Sequence, residues 1–138
     1  MTPQIKALDH LVLTVASISE TLQFYTEALG TKPRSFQVAD GSIRWALHFG
    51  KQKINLHQQG EEFEPKAACP VPGSADLCFL TESALPVWKA HLEELGILIE
   101  DGPVSRTGAT GSISSLYVRD PDGNLIEISV PAIGEKTA

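Results

Sequence analysis

A strand and a helix that recur at a fixed spacing constrain this chain more than any other feature. Leu11, Leu13 and Leu22 fall 66 positions before Leu77, Phe79 and Trp88, and His10 falls on Asp76 at the same offset. Glu27-Ala28-Leu29-Gly30 is echoed without a gap by Glu93-Glu94-Leu95-Gly96. Further on, Ile54-Asn55-Leu56-His57 matches Ile126-Glu127-Ile128-Ser129 with an offset of 72, so six extra residues sit in the second half, most economically in Glu100 to Gly111. A repeat of this length means one supersecondary unit used twice.

The content of the unit follows from periodicity. Ala7 to Val15 alternates, with Leu11, Leu13 and Val15 on one face and His10, Val12 and Thr14 on the other, as a strand requires. Ser17 or Ser19 can cap the segment where Ile18, Leu22, Tyr25 and Leu29 recur at helical spacing before Gly30. Strands are expected over Arg34 to Ala39, Ser42 to Phe49 and Lys53 to Gln58, parted by Asp-Gly and Gly-Lys turns. The second copy reads as a strand over Ala75 to Leu80, a helix marked by Leu85, Trp88, Leu92 and Leu95, and Ile97 to Glu100. A Gly-rich loop, Ser112 to Arg119 and Leu125 to Val130 complete it. Between the last two, Asp120-Pro-Asp-Gly-Asn124 predicts a hairpin, because Pro121 presets φ and Gly123 accepts a positive one. The fold class predicted is α+β, two tandem βαβββ modules in a single domain spanning 1–138. Module one is 5–58, a Pro/Gly/Glu-rich linker is 59–73, module two is 74–130 and a tail is 131–138.

Composition excludes several roles. A net charge of −6 in 138 residues leaves no basic stripe for tracking phosphates, so nucleic acid and anionic membranes are poor partners and a small molecule is the better one. No stretch approaches the roughly 18 apolar residues of a membrane span, and Met1 to His10 lacks a signal-peptide run, so a cytoplasmic location is expected. Cys69 and Cys78 form no Cys-x-x-Cys pair and are expected as reduced thiols, with Cys78 in the core.

Strand parity then exposes a polar set. Opposite the apolar faces lie His10 and Thr14, Asn55 and His57, Asp76 and Cys78, Glu127 and Ser129. Glu127 interrupts an apolar run, which puts its carboxylate at a solvated sheet edge or in a polar cleft as ligand or base. His48 and His91 are expected in solvated or packing roles.

The paired βαβββ pattern, Asp9-His10 and the closing Arg119-Asp-Pro-Asp-Gly-Asn-Leu-Ile-Glu127 resemble the vicinal oxygen chelate superfamily. That superfamily includes glyoxalase I, bleomycin-binding proteins and extradiol dioxygenases. Lys53-Ile-Asn-Leu-His-Gln58, Gly73 to Phe79 and Gly102 to Ala109 resemble its glyoxalase-domain-containing protein 5 subgroup, some of whose bacterial members are called virulence proteins. The resemblance implies modules curled into cups of mixed sheet, with a divalent metal held by residues of their first and last strands. His10 and Glu127 are the ligands so implied. Asn55, a poor ligand, stands where glyoxalase I has a glutamate, so either His57 two residues on replaces it or that slot is empty, and Asp76 stands where a histidine is usual, as ligand or as orienting group. An imidazole and carboxylates suit Zn²⁺, Mn²⁺, Fe²⁺ or Ni²⁺.

The function implied is a metal-dependent lyase or isomerase of glyoxalase type, acting on a substrate chelated through vicinal oxygens, with Glu127 moving the proton. An extradiol-type dioxygenase and a metal-free drug-binding or resistance protein are the alternatives. Arg106, in a mobile Gly102 to Gly111 loop, would clamp an acidic group, while Trp45 and Tyr117 would wall the substrate. Members of this length imply a homodimer whose cups pair modules of two chains.

Overall fold

The computed structural model describes residues 2–132, which form two compact units dividing between Pro72 and Gly73. The first contains β1 (His10–Val15), α1 (Ile18–Glu27), β2 (Lys32–Gln37), β3 (Ile43–Phe49) and β4 (Gln52–Gln58). The second contains β5 (Asp76–Leu80), α2 (Leu85–Glu94), β6 (Asp101–Thr107), β7 (Ser112–Arg119) and β8 (Leu125–Pro131). Of the tail, Pro131 and Ala132 are described, and 133–138 lie outside the described residues.

Each unit is one four-stranded mixed sheet, ordered β1-β4-β3-β2 in the first and β5-β8-β7-β6 in the second. The helix carries the chain from one edge to the other. Three antiparallel strands then bring it back, and the last pairs parallel with the first. In α1, Ser17 caps the start by accepting the Glu20 amide, and Gly30 ends the helix at φ 73°. The helix lies against β2, β3 and β4. Its fully buried contributors are Thr21 and Tyr25, Thr21 because its hydroxyl returns to the Ser17 carbonyl at 2.9 Å. Leu13, Val15, Leu47, Ile54 and Leu56 form the apolar core of that side, and Ile126, Ile128, Leu116 and Val118 do so in the second unit.

The registers carry the repeat into three dimensions. Val12 pairs with Asn55 in the first unit and Cys78 with Glu127 in the second, which are the offsets of 66 and 72 read from the sequence. Ala46 faces Asn55 as Tyr117 faces Glu127, an offset of 71 on the neighbouring strand, so one of the six extra residues lies in the Asp120 to Asn124 turn. That turn is tightly bonded. Asp120 Oδ1 accepts the amides of Asp122 and Asn124 at 2.9 Å, its Oδ2 accepts Asn124 Nδ2 at 2.8 Å, and Asn124 Oδ1 accepts the Ala75 amide at 2.8 Å.

Two expectations change. Asp101 to Thr107 is strand β6, where a mobile loop is expected, and Ile97 to Glu100 has no strand structure. Gly and Pro are tolerated there because β6 is an edge strand, and the register shifts between Asp101 and Val104. Gly102 sits at φ 110° with the Ser115 carbonyl where a Cβ would project, so the sheet needs a glycine at this position. The 59–72 stretch belongs to the first unit, and its Phe63 ring packs edge-on against His57 at 5.3 Å.

Candidate functional site

In each unit the face opposite the buried one is polar, and the register fixes its members. On the first sheet Ala46 is opposite Asn55 and Phe36 opposite Arg44, so Arg44, Asn55, His57 and Phe36 share a side. They line a cavity of about 410 Å³ with Val38, Ala39, Asp40, Leu56 and Phe63. The Arg44 guanidinium stacks on the Phe63 ring. Asn55 Oδ1 is buried there without a hydrogen-bond donor, a costly state for an amide oxygen. Burial first, then the Arg44 charge, push the His57 pKa below its usual value, and burial with the Arg34 and Lys53 charges does the same to His48. This face is electropositive.

The second sheet carries the carboxylates. Glu127 Oε2 accepts from Ser115 Oγ at 2.6 Å and, at a longer 3.4 Å, from Ser129 Oγ. The two serines are 2.7 Å apart, and Ser129 lies 3.2 Å from Cys78 Sγ. Tyr117 is directly opposite Glu127, and its hydroxyl accepts Arg106 Nε at 3.0 Å. Partial burial raises the Tyr117 pKa, against the Arg106 bond and with the Glu127 charge, so the phenol stays protonated. Burial of the Cys78 sulfur, opposed by its Ser129 bond and reinforced by Glu127 and Asp76, likewise raises the thiol. Cys78 is exposed on this face, which corrects its expected place in the core.

The other sequence candidates separate by position. His10, half-exposed, has Nδ1 held by Asp9 at 2.8 Å, which leaves Nε2 to face outward. It lies diagonal to Asn55, since Val12 is Asn55's direct partner. His57 is opposite Thr14, four residues along from His10 and so roughly 13 Å away at about 3.3 Å per residue. One ion cannot take both, so His57 does not stand in for Asn55 beside His10. Asp76 is diagonal to Glu127 in the same manner. Arg106 is fixed on β6 by Tyr117 and the Ser105 carbonyl, in place of the mobile loop. Trp45 pairs with Leu56 and shares the core-facing side, so it does not wall this cavity. Arg44, Phe36, Phe63 and Ser115 are members that sequence reasoning missed. Parity with Asn55 was a signal for Arg44, and pairing with Ser129 was one for Ser115.

Among the described residues no three His, Cys, Asp or Glu side chains converge as a metal centre. What each sheet offers is a pair, His10 with Asn55 and Asp76 with Glu127. The chemistry of these pairs fits a divalent ion. An imidazole already oriented by a carboxylate, an amide oxygen lacking a donor and two carboxylates are all oxygen or nitrogen ligands for such a cation.

A mixed sheet closed by a parallel first and last strand, built twice, with its polar side chains on one face, defines a fold of the paired-βαβββ class. Residues 7–128 match the family model of the Glyoxalase/Bleomycin resistance protein/Dioxygenase superfamily, and the chain belongs to that superfamily. It is 58% identical over 125 residues to virulence protein STM3117 of Salmonella typhimurium, covering 91% of this chain and 84% of that one. Over the same share of this chain and 68% of the other, it is 54% identical to glyoxalase domain-containing protein RDO1 of Mycosarcoma maydis. A solved structure from the mobile metagenome of Vibrio pseudocholerae superposes with TM-score 0.89 at 56% identity, covering 94% and 98% of the two chains. Lactoylglutathione lyase of Agrobacterium tumefaciens (TM-score 0.68, 20% identity, 94% and 97% covered) shares the fold. So does an antibiotic-binding protein of a Streptomyces species (0.72, 21%, 95% and 100% covered). No helix among the described residues is long and apolar enough to cross a membrane.

Proposed function

We propose that this protein is a metal-dependent small-molecule enzyme of glyoxalase-like type, acting by proton transfer on a substrate with adjacent oxygens. The observation that carries this reading is the environment of Glu127. Its Oε2 is fixed by the Ser115 hydroxyl, and the Tyr117 phenol, itself held by Arg106, stands directly opposite it on β7. A carboxylate positioned by donors on a rigid sheet, facing away from the apolar core, is suited to take a proton from a carbon beside a carbonyl. A divalent ion, for which His10, Asp76 and Glu127 are the candidate ligands, would supply Lewis-acid stabilisation of the enediolate oxygens. Ser115 orients the base, and Arg106 keeps Tyr117 in place.

Two measurements test this. Protein prepared without chelator and offered Zn²⁺, Mn²⁺, Fe²⁺ or Ni²⁺ should hold about one ion per pair of modules by elemental analysis, with loss on His10→Ala. With metal present, solvent deuterium uptake beside the carbonyl of 2-hydroxyacetophenone should slow about 10³-fold in Glu127→Gln, and by less in Tyr117→Phe. Absence of bound metal under every condition would move the reading to its alternative, a metal-free binding or resistance protein, which the amide at Asn55 favours. Oxygen-dependent ring cleavage of a catechol on Fe²⁺ loading would favour the dioxygenase reading instead.

A further inference from the structure

The cavity on the first sheet carries features that proton transfer at Glu127 does not use. Its apolar walls include Phe36 and Val38 and a Phe63 ring that stands at 84° to His57 and stacks on Arg44. Among the described residues Arg44 has no ion-pair partner, although it is half-buried. The two nearby acids are mainly held elsewhere, although the Arg44 charge adds to the Ser42 bonds that lower the Asp40 pKa. Asp40 is held by the amide and hydroxyl of Ser42, and Glu62 accepts the Gly60 amide and pairs with Lys66 at 3.8 Å. Lys53 adds a second cation to the same face, its Nζ 4.6 Å from the Phe36 ring centroid. Among the described residues the one buried side-chain nitrogen or oxygen without a hydrogen-bond partner, Asn55 Oδ1, is an acceptor that wants an N–H or O–H.

From this arrangement we propose that the cavity binds an aromatic carboxylic acid bearing a hydroxyl group: the ring against Phe36 and Phe63, the carboxylate on Arg44, the hydroxyl donating to Asn55 Oδ1. Arg44 is in register with Phe36 on β2, and Ala46, two residues on, is in register with Asn55, so Arg44 and Asn55 are diagonal neighbours, about 7–8 Å apart at the backbone. A benzene ring with its two polar groups at opposite ends spans such a separation. The guanidinium supplies two parallel donors to a carboxylate, with Lys53 as a second cation on the same face. Calling this ligand a substrate rests on the enzyme reading above; the binding itself does not.

Calorimetry on protein kept in EDTA isolates the inference from metal and from turnover. The probes are 4-hydroxybenzoate, benzoate, which lacks the hydroxyl, and 4-hydroxybenzyl alcohol, which lacks the charge. The first should bind about tenfold more tightly than either of the others. Arg44→Gln should abolish its advantage over the alcohol, Arg44→Lys should keep part of it, and Asn55→Leu should abolish its advantage over benzoate alone. Equal affinities for all three probes, or an Asn55→Leu variant that discriminates as the wild type does, overturns the inference. Loss of metal binding or of deuterium exchange in the earlier experiments leaves this one standing, and the reverse also holds.

Discussion

His57 shows how a single side chain reports the field around it. Its folded pKa lies below the ordinary 6.5, because burial and then Arg44 oppose the imidazolium, with Glu62 partly offsetting them. The unfolded chain therefore takes up a proton at higher pH than the folded one. Stability is full above pH 6.5 and is lost as pH falls through that value toward the lowered one. His57→Gln should flatten the dependence, so that between pH 7.5 and 5 its melting temperature falls less than that of the wild type, with His48 supplying the remaining slope. Equal slopes for the two proteins would exclude it. The lowered carboxylates Asp40, Glu62 and Glu100 titrate below this window and do not confuse the result. At this scale sequence reading did best where parity alone decides. Glu127 and Asn55 were placed on their faces from alternation, whereas Phe63 could not be placed, because it comes from a segment with no periodicity and is held by the Arg44 stack.

Among the elements, the β7–β8 hairpin was the most legible, since Pro121 and Gly123 dictate its turn chemistry, and β6 the least. In β6, Gly102, Pro103 and Gly108 read as loop, and only edge position with a shifted register makes them a strand. The hairpin turn also holds the entry to β5, through Asn124 Oδ1 and the Ala75 amide. Asn124 is 1% exposed, so Asn124→Ala removes both the side-chain donor to Asp120 Oδ2 and the side-chain acceptor of the part-buried Ala75 amide. A loss of about 2–4 kcal/mol is expected, at about 1–3 kcal/mol per unsatisfied group, read from urea denaturation with an unchanged m-value. Asn124→Asp, which keeps the acceptor but places a charge beside Asp120, should be no less damaging. A loss under about 0.5 kcal/mol in the alanine variant would show that the turn is held elsewhere.

At the scale of the molecule, the described residues present four edge strands, β1 and β2 on one sheet and β5 and β6 on the other. Val12 on β1 and Leu80 on β5 are 45% and 69% exposed. Unpaired edges and apolar side chains of this size call for cover, and a second copy is the simplest. Light scattering at micromolar concentration should give about twice the 14.9 kDa chain mass, and a monomer there would refute it. The parallel pairing that closes each sheet has a further consequence, in time. Val12 meets Asn55 across 43 residues and Cys78 meets Glu127 across 49, while the other strand pairs of each sheet are joined by turns or short loops. The meanders can therefore assemble first, and the strands bearing His10 and Asp76 dock last, after the longest loop closure. The same strands are the ones a brief local opening releases first, so either polar pair can come apart and re-form while the hairpins beside it stay folded.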